Sequence, residues 1–179
     1  WRVNSAGLIV PAAINTPRID YDPTTLASRG LLIEEQRTNL ATWSEDLTNA
    51  AWAKSNTTVS ANQGVAPDGA TTMDLLAETT ANAQHYARPV VASITSGTAY
   101  TGSFFIKKGT GVTAPDWVIL AFAFAGFGAQ SVAFNLSTGS FGVVAGALTY
   151  KATQYINGVW HVAVTAVATS TSVNGCLFI

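Results

Sequence analysis

Two histidines, ten carboxylates and one cysteine are the side chains of this 179-residue sequence with the widest range of acid–base, nucleophilic or metal chemistry. Their spacing argues against each use. His85 and His161 lie far apart, with no His-x-x-x-His or Glu-x-x-His pattern, so no zinc site is expected. Cys176 stands alone, which excludes an intrachain disulfide and a cysteine-cluster metal site. The aspartates are too scattered to converge on Ca²⁺. No Gly-x-Ser-x-Gly elbow is present, and Gly126-Phe127-Gly128 lacks the following helix and lysine of a phosphate cradle. The carboxylate pairs that would suit glycoside hydrolysis are Glu34-Glu35, Glu45-Asp46, and Asp20 with Asp22. Neighbours on a strand point to opposite faces, which separates Glu34 from Glu35. Asp20 and Asp22 share a face, but Asp22-Pro23 is also a common turn opener. The expectation is a non-catalytic domain with no metal and no cofactor.

The aromatic residues are the stronger lead. A flat ring on a β-surface stacks on the C–H faces of sugars, and Trp and Tyr add a hydrogen-bonding tip. Of the five Trp and five Tyr, Trp43, Trp52 and Trp160 sit in apolar patterns and are expected in the core. Trp117 opens a strand after the loop Ala114-Pro115-Asp116, and Tyr86 lies between His85 and Arg88 in a polar-flanked strand. Trp117 and Tyr86, with Arg88, Lys107 and Gln130 as hydrogen-bonding neighbours, form the expected ligand face.

The elements that must position these residues are strands. Only 11% of residues are charged while 48% are hydrophobic, so Ser, Thr, Asn and Gln must coat the surface. Such a surface is common on extracellular and virion β-proteins. The net charge of −1 favours no polyanion, and no nucleic-acid partner is expected. The longest apolar stretch, Trp117 to Gly128, is too short for a membrane-spanning helix and reads as a buried strand, so no membrane insertion is expected. The first residues lack a signal-peptide pattern, and the start at Trp1 in place of an initiator Met leads to the expectation of a fragment or trimmed chain.

Residues 1–40 read as an extended arm broken by Pro11, Pro17 and Pro23, with extended pieces at Gly7 to Val10, Pro17 to Tyr21 and Gly30 to Glu34. The arm has few apolar side chains and is expected to lie on another surface. The span Asn39 to Ala53 is the one plausible helix, with Thr42 or Ser44 as cap and Glu45-Asp46 in the first turn. The polar run Ser55 to Gly64 follows, then the turn Ala66-Pro67-Asp68-Gly69, with a strand starting at Met73 to Leu76. Period-two patterns then dominate. Gly102, Phe104 and Ile106 share one face, as do Val132, Phe134 and Leu136, and Trp160, Val162 and Val164. Ser137-Thr138-Gly139-Ser140 turns into Phe141 to Ala145, Asn157-Gly158 joins the next pair, and a last strand starts near Gly175. Seven or eight strands without interleaved helices predict an all-β antiparallel sandwich of jelly-roll topology over residues 41–179.

The segment Pro17-Arg18-Ile19-Asp20-Tyr21-Asp22-Pro23, followed by Gly30-Leu31-Leu32-Ile33-Glu34-Glu35-Gln36-Arg37-Thr38-Asn39-Leu40, resembles a motif of tailed-phage virion proteins of the head spike and tail fibre type. Ala51-Trp52, Ala66 to Gly69, Tyr100 to Lys108 and Asn157 to Val162 continue the resemblance more loosely. It implies a virion-surface protein displaying a carbohydrate-binding-module-like sandwich for adhesion to surface glycans, with residues 1–40 anchoring it to other virion subunits and a homo-oligomer in keeping with fibres. The alternative is a structural decoration or assembly protein with no ligand. In related modules Val159 is usually Trp and His161 usually Arg, so a surface role of that pair would be altered. Such domains also add one more strand, which a neighbour or further residues would supply here.

Overall fold

The computed structural model describes residues 1–89, 93–111, 114–123, 126–172 and 176–178. Among these the chain is all-β and antiparallel, with fifteen strands and no helix. The strands are β1 (Arg2–Val3), β2 (Ile9–Val10), β3 (Ile19–Tyr21), β4 (Ser28–Leu31), β5 (Trp52–Ser55), β6 (Thr57–Val65), β7 (Thr71–Glu78), β8 (Tyr86–Pro89), β9 (Ala99–Ile106), β10 (Trp117–Ala123), β11 (Gln130–Asn135), β12 (Phe141–Ala145), β13 (Thr149–Gln154), β14 (Trp160–Val167) and β15 (Cys176–Phe178).

Two sheets make the sandwich. One has the order β12-β11-β10-β15 and the other β13-β14-β9. Leu120 and Phe122 of β10 and Val132 and Phe134 of β11 meet Val162, Val164 and Ala166 of β14 in one buried cluster. Tyr100, Phe104, Ile106 and Trp160 close it at the sides. The period-two assignments of β9, β11 and β14 hold because each of these strands has one buried face, so its sequence must alternate. Each fully buried Leu, Val or Phe here contributes about 1.5–3 kcal/mol. Trp160 packs edge-on against Phe134 at 5.5 Å between centroids, and its indole N–H donates to the Leu136 carbonyl. Two-stranded ribbons β5-β8 and β6-β7 accompany the sandwich, with β8 beside β15. The expected strand starts at Phe141, Tyr150 and near Gly175 are met by β12, β13 and β15; Phe124, Ala125, Gly175 and Ile179 lie outside the described residues.

Two expectations fail. The span Asn39 to Ala53 is a chain of turns, with Asp46, Asn49 and Trp52 donating backbone N–H groups to the residues three before them. Asp46 and Asn49 accept from the backbone N–H groups of Thr48 and Ala51, which competes with helix formation. The Lys54 ammonium donates to the carbonyls of Leu47, Thr48 and Asn49. Trp43, expected in the core, has a left-handed backbone (φ 57°) and is 60% exposed, whereas Trp52 is 4% exposed. The polar run Ser55 to Gly64 is largely strand, in β5 and β6, although neither face of β6 is buried.

The arm forms the hairpins β1-β2 and β3-β4 and rests on its own chain. The Thr24 hydroxyl donates to the Gln154 carbonyl at 2.5 Å, and the Ile9 N–H donates to the Pro67 carbonyl at 3.0 Å. The arm still exposes Trp1, Ile14, Leu31 and Ile33.

Candidate functional site

Trp117 begins β10 opposite Asn135 of β11. Val118, Leu120 and Phe122 pack toward the core, so Trp117 and Ile119 point outward. From there the Trp117 side chain crosses the sheet to β12, where its six-membered ring sits over Gly142. A Cβ on Gly142 would lie 2.7 Å from ring atom Cζ3 and 3.0 Å from Cη2. The residue is 49% exposed. Gly142 has no left-handed backbone, so the close approach of the ring is what its missing side chain permits.

The residue before Trp117 in the chain, Asp116, has polar partners of its own. The Asp116 carboxylate accepts from the Lys108 ammonium at 2.7 Å and from the Ser137 hydroxyl at 2.6 Å. The hydrogen bond from Lys108, then that from Ser137, holds the Asp116 carboxyl below the usual carboxylate range. Ile119 and Val143 continue the outer face as exposed apolar side chains. A half-exposed indole can stack a sugar ring and bond its hydroxyls through the ring N–H.

The five residues expected to form one ligand face do not meet in one place. Gln130 pairs with Phe122, five residues along β10 from Trp117, or about 17 Å at the usual strand rise. It lies on the core side, at the end of the sandwich. Lys107 follows β9 on the outer face of the other sheet, where its ammonium donates to the Asn157 carbonyl. Tyr86 and Arg88 are half-buried on β8, opposite Ser55 and Ala53 of β5. Of the two aromatic rings among the five, Trp117 is among the exposed apolar residues and Tyr86 is half-buried.

Asp20, Asp22, Glu34 and Glu35, four of the six carboxylates named as pairs, have other partners. Asp22 accepts from the backbone N–H groups of Thr24 and Thr25 and from Arg29, which hold its carboxyl far below the ordinary range. Asp20 accepts from the Val3 N–H. Glu34 pairs with Arg18 and Glu35 with Arg37. Each is accounted for by a turn, a strand contact or a surface ion pair.

A second aromatic group was not anticipated. On the outer face of the β13-β14-β9 sheet His161 stacks on Phe105 at 4.6 Å, and Tyr155 meets Phe105 edge-on at 5.5 Å. Burial, then the charge of Lys151, lowers the His161 pKa. Val159 is fully buried, so it plays no surface role. The pairing Phe105↔His161 depends on the register between β14 and β9, which local sequence does not specify.

No family model matches the chain, and no curated protein matches it significantly. Among the described residues no group of three or more His, Cys, Asp or Glu could hold a metal, and no helix is long and apolar enough to cross a membrane.

Proposed function

We propose that this chain is a non-catalytic virion domain of a tailed phage, of the head spike or tail fibre type, whose jelly-roll module binds surface glycans through Trp117. The observation that carries the reading is the Trp117 ring, half exposed, lying close over Gly142 on the outer side of the sheet. The resemblance of residues 17–40 and the charge-poor surface support placement on a virion. The apolar side chains exposed on residues 1–40 support anchoring to other subunits. One ring gives weak binding, and many copies on a particle strengthen it.

Hydroxyl-radical footprinting of the domain with extracted bacterial surface glycans tests the site. The proposal expects the glycan to protect Trp117 while oxidation of exposed Trp43 is unchanged. Equal oxidation of Trp117 with and without glycan overturns it. The second reading is a structural decoration protein, favoured by the exposed apolar row of Trp117, Ile119 and Val143. That reading expects Trp117 to be protected by assembly itself.

A further inference from the structure

The sequence contains Asn-Gly twice, at Asn157-Gly158 and Asn174-Gly175, and the second pair lies outside the described residues. The first forms the turn between β13 and β14. The Tyr155 carbonyl accepts from the Gly158 N–H at 3.0 Å, and the Tyr155 N–H donates to the Val159 carbonyl at 2.8 Å. Gly158 has a left-handed backbone (φ 69°), which is the closing position of a three-residue hairpin loop. The Lys107 ammonium donates to the Asn157 carbonyl at 2.8 Å. Among the described residues the Asn157 side-chain amide has no hydrogen-bond partner.

An asparagine followed by glycine is prone to lose its side-chain amide, because no Cβ shields the next backbone nitrogen. In that reaction the Gly158 nitrogen gives its proton to hydroxide and attacks the Asn157 side-chain carbonyl carbon. A new C–N bond closes a succinimide ring, the bond to the side-chain nitrogen breaks, and that nitrogen takes a proton from water and leaves as ammonia. Water then adds to either ring carbonyl and opens the ring to aspartate or isoaspartate. In the folded turn the Gly158 proton lies in the hydrogen bond to Tyr155. An amide held in this way gives up its proton only when the bond opens. We propose that Asn157 is a deamidation site that the β13–β14 turn holds in check, so that isoaspartate at this position marks chains whose turn has opened. Isoaspartate adds a methylene to the main chain inside the loop that closes on the pairing Gln154↔Trp160, and β14 carries Val162 and Val164 into the core.

The test is incubation of the whole domain at mildly alkaline pH, in native buffer and in guanidinium chloride, followed by chymotryptic peptide mapping. Cleavage after Tyr155 and Trp160 separates position 157 from position 174, and electron-transfer fragmentation distinguishes isoaspartate from aspartate. Conversion at Asn157 is expected to be at least about tenfold slower in native buffer, the ratio set by an opening free energy of about 1.4 kcal/mol. Hydrogen exchange of the Gly158 amide in native buffer, followed by NMR, is expected to be slowed by at least the same factor. Equal conversion in the two states, or a Gly158 amide that exchanges as it does in the unfolded chain, overturns the guarding turn. No conversion at Asn157 in the unfolded chain overturns the site itself.

Discussion

At the scale of single residues, Trp117 is made available by a glycine two strands away. Gly142→Ala places a methyl where the ring lies, so the ring must lift from the sheet. Because Gly142 is exposed and its backbone suits any residue, stability is expected to change by no more than about 1 kcal/mol. Glycan binding should fall about tenfold, as read by biolayer interferometry on the multivalent domain. His161 makes a separate prediction about pH. Its folded pKa lies below the ordinary 6.5, so as pH falls below that value the unfolded chain takes up the proton first. The associated stability is present above 6.5 and is lost as pH falls toward the folded value. Urea unfolding at about pH 7.5 and about pH 5.5 should show this loss, and His161→Phe, which keeps a ring beside Phe105, should reduce it. An identical pH dependence in the variant would remove His161 from the account. Trp117 was legible because it follows a Pro-containing loop at a strand start. Gly142 was not, because nothing in Phe141-Gly142-Val143 announces a ring arriving from another strand.

At the scale of elements, strands with a buried face were legible and those without one were not. Val162 and Val164 alternate with His161 and Ala163 because one side of β14 faces the core. Thr57 to Val65 has no such side, and its pairing with β7 is invisible in the order of its residues. The false helix at Asn39 to Ala53 has a related cause: Asp46 suits a first helical turn and a side-chain-capped turn equally well. The Lys54 ammonium adds to the turn by gathering three carbonyls of Leu47 to Asn49. Lys54→Met should therefore cost about 1 kcal/mol and speed amide exchange in residues 46–52, read by hydrogen–deuterium exchange. An unchanged exchange pattern would show that these bonds do not hold the turn.

At the scale of the whole molecule, one core joins two antiparallel sheets. Leu120→Ala, in the centre of that core, should lower unfolding free energy by about 2–5 kcal/mol in chemical denaturation. The five residues expected on one face separated because sequence places a residue on a strand but not the strand in a sheet. Register and sheet order put Trp117 outside, Gln130 at one end and Lys107 on the opposite sheet. The central claim is that the open ring of Trp117 receives a sugar. A multivalent glycan array comparing the native domain with Trp117→Ala, at equal valency and with folding verified, tests it most directly. The account predicts reproducible signal on one class of glycan that Trp117→Ala loses. Silence from the native domain, or signal that Trp117→Ala retains, would contradict it.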